Sequence, residues 1–269
     1  MHDIINAILL GIVEGFTEFL PVSSTAHLLV SERLLGLEGN RWEAFTIVIQ
    51  LGAILSVVAV YWRKLWDVTV GLPSDPKARL FAGGVIVAFL PSAVLGVALI
   101  KIINNYLLDP TIAMPVIATS WIVGGIVILL FEHIAPRPRF AAADQLPLVK
   151  CLQIGFCQCL ALLPGVSRSG ATILGGELLG VERKAATEFT FYLAVPTMLG
   201  AAVFELYKKW HLLNAADEKL IAIGFVVSFF VALIVVKTLI GFVGRYGLKP
   251  FGWYRLATGL ALIGFMLWG

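Results

Sequence analysis

Two short stretches of this chain carry residues whose types and spacing could do chemistry. "EGFTEFLPVSSTAH" at 14–27 holds Glu14, Glu18, Ser23, Ser24, Thr25 and His27, and "LLPGVSRSGAT" at 162–172 holds Ser167, Arg168 and Ser169. Glu14 and Glu18 are four residues apart and share a helical face. His27 follows Ser24 by three and shares its face if a helix starts after Pro21. Hydroxyls at such a start are cap residues, and the N–H groups behind them bind anions. Arg168 adds a planar, two-pronged donor suited to phosphate. Glu14 and Glu18 would repel that anion unless a divalent cation, Mg or Ca, sits between, with both carboxylates as its ligands. A hydroxyl, a histidine one turn away, an acid, a cation and an arginine are the parts of a phosphoryl-transfer site. Ser24 is the favoured nucleophile, with His27 taking or relaying its proton and Glu18 binding the cation or orienting His27. Arg168 and the N–H groups of both tips would stabilise the transferring phosphoryl group. Attack by His27 or by a cation-bound water stays open. Ser23, Thr25, Ser167, Ser169, Gly170 and Thr172 complete the expected phosphate-binding set.

A blander account exists for each group. The hydroxyls could be ordinary caps, His27 a helix-packing hydrogen bonder, and the charges a structural ion bridge. The bridge, however, does not explain why the charges come with two helix starts.

The elements that must position these residues are membrane elements. Of the 269 residues, 59% are hydrophobic and 14% charged, with mean hydropathy +0.92. A soluble domain carries about 25% charged residues. The net charge of +3, with no basic tract, excludes nucleic acid as a partner. "MHDIINAILLGIVEG" lacks a basic leader and a cleavage site, which argues against a removed signal peptide. Cys151, Cys157 and Cys159 read as small buried hydrophobes. Six apolar runs, near 43–62, 80–101, 111–131, 187–206, 220–241 and 250–268, have the length that a ~30 Å hydrocarbon core requires, about 20 residues. Two further regions are broken by proline: 4–20 and 26–37 around Pro21, and 148–163 and 170–181 around Pro164. Each pair reads as a re-entrant hairpin, tolerated at membrane depth only where protein or a water-filled cavity satisfies the freed backbone groups.

Shifting the sequence by 144 residues places Gly11 on Gly155, Glu14 on Gln158, Ser23 on Ser167, Lys64 on Lys208 and Trp66 on Trp210. The chain is therefore expected to be an all-α integral membrane protein of two repeats, about 1–135 and 145–269, each a hairpin plus three spans. Three crossings per half make the repeats inverted, an arrangement that places sites where broken helices meet at the midplane. The connections 63–79, 132–150, 182–186 and 241–249 carry eleven Lys and Arg against six on the other side. By the positive-inside rule they are cytoplasmic, with both termini outside and the site opening to the outer face.

Two motifs, "GIVEGFTEFLPVSSTAHL" at 11–28 and "PGVSRSGATI" at 164–173, resemble those of the undecaprenyl-diphosphate phosphatases, also called bacitracin-resistance proteins. The resemblance runs along nearly the whole chain, through "IQLGAILSVV" at 49–58 and "ATEFTF" at 186–191; Ala26 stands where the family often has glycine. It implies a multi-pass enzyme of the bacterial inner membrane, with the outer face periplasmic. That enzyme would remove the terminal phosphate of a polyprenyl diphosphate lipid and so recycle the cell-wall carrier. Membrane lipids are implied partners, and a homo-oligomer is compatible with this reading. The rival class is a transporter, for which inverted repeats and an arginine among helix N-termini would also serve. A Ser24–His27 pair beside Glu18 is what transport does not require.

Overall fold

A computed structural model describes residues 2–37, 39–109, 111–209 and 217–268; Trp210, matched to Trp66 by the internal repeat, lies outside them. Among the described residues eleven α-helices follow one another: α1 (His2–Thr17), α2 (Ser24–Leu35), α3 (Asn40–Val60), α4 (Trp62–Gly71), α5 (Pro76–Ile102), α6 (Ala113–Ile134), α7 (Leu148–Gln158), α8 (Arg168–Leu178), α9 (Arg183–Lys209), α10 (Glu218–Tyr246) and α11 (Lys249–Trp268). No strand occurs among the described residues. The protein is all-α, and α3, α5, α6, α9 and α10 are each long and apolar enough to cross a membrane. The sixth expected span forms α11, 20 residues long, in which Lys249 and Arg255 lower the apolarity.

Both expected helix breaks occur, and at each the two short helices pack on one another. Pro21 separates α1 from α2; α7 ends at Gln158, and a 3-10 turn over Cys159–Leu162 precedes Pro164. The broken helices lie tightly on unbroken ones. A Cβ on Gly15 would sit 2.5 Å from the Ser228 carbonyl oxygen of α10, and one on Gly155 would collide with Ala88 of α5. Only glycine permits such backbone approach. The helix pairings exchange between the halves: α1 packs on α10 as α7 packs on α5, while α3 meets α9 and α6 meets α11.

One element departs from expectation. Trp62, placed at the end of a span, and residues 63–71, placed in a connection, form α4, whose Trp62, Trp66 and Val70 expose one apolar stripe; the two indoles lie 5.3 Å apart. Its charges Arg63, Lys64 and Asp67 cancel the apolar signal that marks a span, so only its amphipathic spacing could have revealed it.

Polar ties gather the chain at each end of the bundle. At one end Arg41 pairs with Asp3 at 3.0 Å and Asp217 at 2.6 Å, joining α1, α3 and the start of α10. At the other, Arg183 grips Glu177 through two bonds of 2.9 and 3.0 Å and Glu132 at 3.0 Å, while Glu132 accepts from the Leu248 N–H. Lys64 pairs with Asp144. These contacts link the connections 63–79 and 132–150, and those at 182–186 and 241–249 to α6. The three cysteines are free thiols, Cys151 buried and the others half-buried.

Candidate active site

The two tips meet in a cavity of ≈ 240 Å³ lined by Glu18, Ser23, Ser24 and Thr25 from the first and Ser167 and Arg168 from the second. Glu18 is its hub. One carboxylate oxygen accepts the Ser24 hydroxyl, and the other takes Arg168 Nη2 at 3.3 Å. The Arg168 and Glu18 side chains are 13% and 9% exposed, so the pair is shielded from bulk water. Arg168 Nη1 also donates to the Thr190 carbonyl at 3.4 Å, while its Nε has no partner among the described residues. A nucleophile-type hydroxyl, a base-type carboxylate and a guanidinium therefore stand in one line, from segments 150 residues apart in the chain.

The tips differ in how they start their helices. Ser167 caps α8 in the ordinary way, accepting from Gly170 N–H at 3.1 Å. Ser23 holds the N-cap position of α2 but makes no side-chain cap bond, which corrects the expectation of a capped start there. Its φ of +73° is the sole positive value at a non-glycine among the described residues. Left-handed backbone at serine is strained, and such strain collects at functional sites. The first N–H groups of α2 take no side-chain cap from Ser23, and Ser23, Ser24 and Thr25 at that helix start line the cavity.

The remaining expected residues sort by place. Ser169 donates to the Leu20 carbonyl at 2.7 Å and meets Ser167 at 2.9 Å, so these two hydroxyls stitch the second tip to the first. Gly170 gives its N–H to Ser167, and Thr172 bonds backbone carbonyls of α8 and the Thr190 hydroxyl at 2.8 Å. Of this set only Ser23, Thr25 and Ser167 reach the cavity. Glu14, four residues before Glu18, is fully buried, and among the described residues no N–H or hydroxyl donates to either of its oxygens.

Among the described residues His27 makes no hydrogen bond to Ser24, whose hydroxyl goes to Glu18. Its Nδ1 lies 2.7 Å from the Ser23 carbonyl and must donate to it, so Nε2 accepts from the Tyr254 hydroxyl, also at 2.7 Å. The Trp121 ring, 4.6 Å away, holds it further. Ser24 and His27 stand three residues apart on α2, yet the hydroxyl bonds Glu18 while the ring bonds the Ser23 carbonyl and Tyr254.

Sequence reasoning did not single out Gln50, Ser92 or Thr197, which extend the polar wall from the spans. Gln158 was legible, because it stands at the repeat position of Glu14; it donates to the Ser92 hydroxyl at 2.6 Å. Beyond this wall the cavity opens into an apolar groove of ≈ 490 Å³ between α5, α9 and the second tip, bordered by Phe89, Val97, Ile100, Leu162 and Phe204.

Comparison with known proteins decides the family. The model of the bacitracin resistance protein BacA family matches residues 7–261. The chain belongs to the BacA family. Similar BacA-type relatives include the undecaprenyl-diphosphatase of a Rhodopseudomonas palustris strain, 50% identical over 267 residues and covering 98% of both chains. A Caulobacter undecaprenyl-diphosphatase is 48% identical over 264 residues, again 98% of each chain. Undecaprenyl-diphosphatase 2 of Paramagnetospirillum magneticum is 49% identical over 255 residues, 95% of this chain and 96% of its own. For a BacA chain, the polar cavity with an adjoining apolar groove has the shape that a charged head on an apolar tail demands.

Proposed function

We infer that this BacA protein hydrolyses undecaprenyl diphosphate to undecaprenyl phosphate and inorganic phosphate, recycling the lipid carrier and conferring bacitracin resistance. Family membership and full-length relatives of about 50% identity carry the activity. The Ser24–Glu18–Arg168 line carries the chemistry. Ser24 Oγ attacks the terminal phosphorus while Glu18 takes its proton. The Oγ–P bond forms as the bridging P–O bond breaks, and the lipid monophosphate leaves with the electron pair and takes that proton from Glu18, which returns to the carboxylate. Arg168 and the open N–H groups of α2 stabilise charge on the transferring phosphoryl oxygens. Water then attacks the phosphoserine, Glu18 accepts its proton and returns one to Ser24, and phosphate departs. His27, engaged by Ser23 and Tyr254, shapes the first tip. Glu18 replaces it as the proton acceptor in this mechanism.

The residues fit a divalent cation. Among the described residues no N–H or hydroxyl donates to the buried Glu14 carboxyl, and it lies within bonding reach of the Glu18 carboxyl, so the pair calls for a shared proton or a cation. Glu14 and Glu18 offer hard oxygen ligands of the kind Mg and Ca take. Among the described residues no cluster of three or more His, Cys, Asp or Glu stands ready for a metal. Phosphate oxygens and water would complete the shell, and the bound cation would neutralise phosphate charge. The polyprenyl tail lies in the apolar groove.

The protein is a multi-pass membrane enzyme. We place it in the bacterial inner membrane, as two inverted repeats with periplasmic termini and the cavity opening to the periplasm. The exchange of helix pairings between the halves supports the repeat, and the Lys and Arg bias supports the orientation. Reporter fusions at the C-terminal end are expected to be active only in the periplasm; cytoplasmic activity would reverse the orientation and the side of substrate access.

A transporter would need no hydroxyl aimed at a carboxylate. Detergent-purified protein, with no gradient to drive transport, is expected to release phosphate from a polyprenyl diphosphate. No release in detergent or in liposomes would overturn the hydrolase.

A further inference from the structure

The buried guanidinium of Arg255 is not accounted for by the chemistry above. Arg255 sits on α11, 3% exposed, and among the described residues it donates only to main-chain carbonyls. Nη1 reaches Pro21 at 3.3 Å, in the first tip. Nη2 reaches Gly165 at 2.9 Å, in the second tip, and Ser120 at 2.8 Å on α6; Nε lies 3.5 Å from the Trp121 carbonyl. One side chain thus bonds both helix breaks and a span. Burying a guanidinium without a bonded carboxylate is costly, and the arrangement persists only if each donor meets a need. The need is plain: a broken helix at membrane depth frees carbonyls that have no water to bond.

Space for the group is reserved on the facing helix. A Cβ on Gly124 of α6 would lie 2.6 Å from Arg255 Cζ, inside the guanidinium. Trp121, on the same helix, donates its indole N–H to the Val22 carbonyl at 3.0 Å, adding a second tie to the first tip. Arginine suits this post for a geometric reason. Its rigid fork of five donors can address several carbonyls in different directions at once, whereas lysine presents a single point.

We propose that Arg255 is a positioning residue that latches the two hairpin tips together. It holds Ser24 and Glu18 of the first at working distance from Arg168 of the second. The proposal rests on hydrolysis by the paired tips. Without the latch each tip keeps its own residues, but their relative placement loosens, and misplacement of about 1 Å at a reacting centre costs about 100-fold in rate.

The test compares Arg255→Lys, Gly124→Ala and wild type as purified protein, with kcat per folded enzyme and KM for a polyprenyl diphosphate measured alongside thermal stability. Gly124→Ala displaces the guanidinium while leaving Arg255 and its charge in the chain, so it decides the matter if Arg255→Lys does not fold. The expected result is a fall in kcat of about 100-fold in both variants, with KM within threefold of wild type. A role limited to stability would lower the melting temperature but leave kcat per folded molecule within threefold, and that result overturns the latch. A loss confined to KM also overturns it, since Arg255 would then bind substrate. Failure of wild type itself to release phosphate would sink the hydrolase reading instead, so the two failures are distinguishable.

Discussion

Ser24→Ala is expected to reduce phosphate release by on the order of 1000-fold or more, with expression and thermal stability near wild type. Loss of a nucleophile removes the low-barrier route itself, and single knock-outs of such groups cost orders of magnitude in kcat. The stability side is small because Ser24 is not a cap: its hydroxyl is spent on Glu18, and Ser23 holds the N-cap position. Even a true cap would be worth only ~1 kcal/mol. Ser23→Ala and Thr25→Ala are the controls, since both residues line the same cavity without bonding Glu18. They should lose far less. Turnover of a tenth of wild type or more in Ser24→Ala would make the serine a substrate ligand and pass the attack to His27 or a cation-bound water.

Glu18→Gln should fall almost as far, by on the order of 100- to 10,000-fold, the range for removing a general base. The substitution keeps the size and shape of the side chain but cannot accept a proton from Ser24. It also leaves Arg168 without its only bonded carboxylate among the described residues. The informative partner is His27→Asn, measured in the same assay. Both imidazole nitrogens are occupied, by the Ser23 carbonyl and the Tyr254 hydroxyl. Its loss should therefore disturb the shape of the first tip and cost less than Glu18→Gln. Equal losses, or a larger one in His27→Asn, would return the proton to histidine and demote Glu18 to a cation ligand.

The comparison of Glu18 with His27 marks where reading the chain stops. The breaks at Pro21 and Pro164, the spans and the hairpins were legible because each is a local consequence. Proline denies a helix its N–H, and an apolar run of membrane length has nowhere else to go. The pairing of the tips followed from the 144-residue shift, which put Ser24 opposite Arg168. Glu14, Glu18 and Arg168 stood out by type alone. Helix α4 escaped because its charged face hides its apolar one, and α11 is less apolar than its length suggests. Directions were not legible at all. Spacing places Ser24 and His27 on one face, yet the hydroxyl turns to Glu18 and the ring to Tyr254, 227 residues away. Nor could any pattern announce that Arg255, one cation in an apolar run, would bond carbonyls at Pro21 and Gly165. Periodicity reports what a residue does within its own helix, over a few ångströms of chain. Which oxygen a buried donor meets depends on how separate helices pack, to within a few tenths of an ångström, and only the tertiary structure decides that.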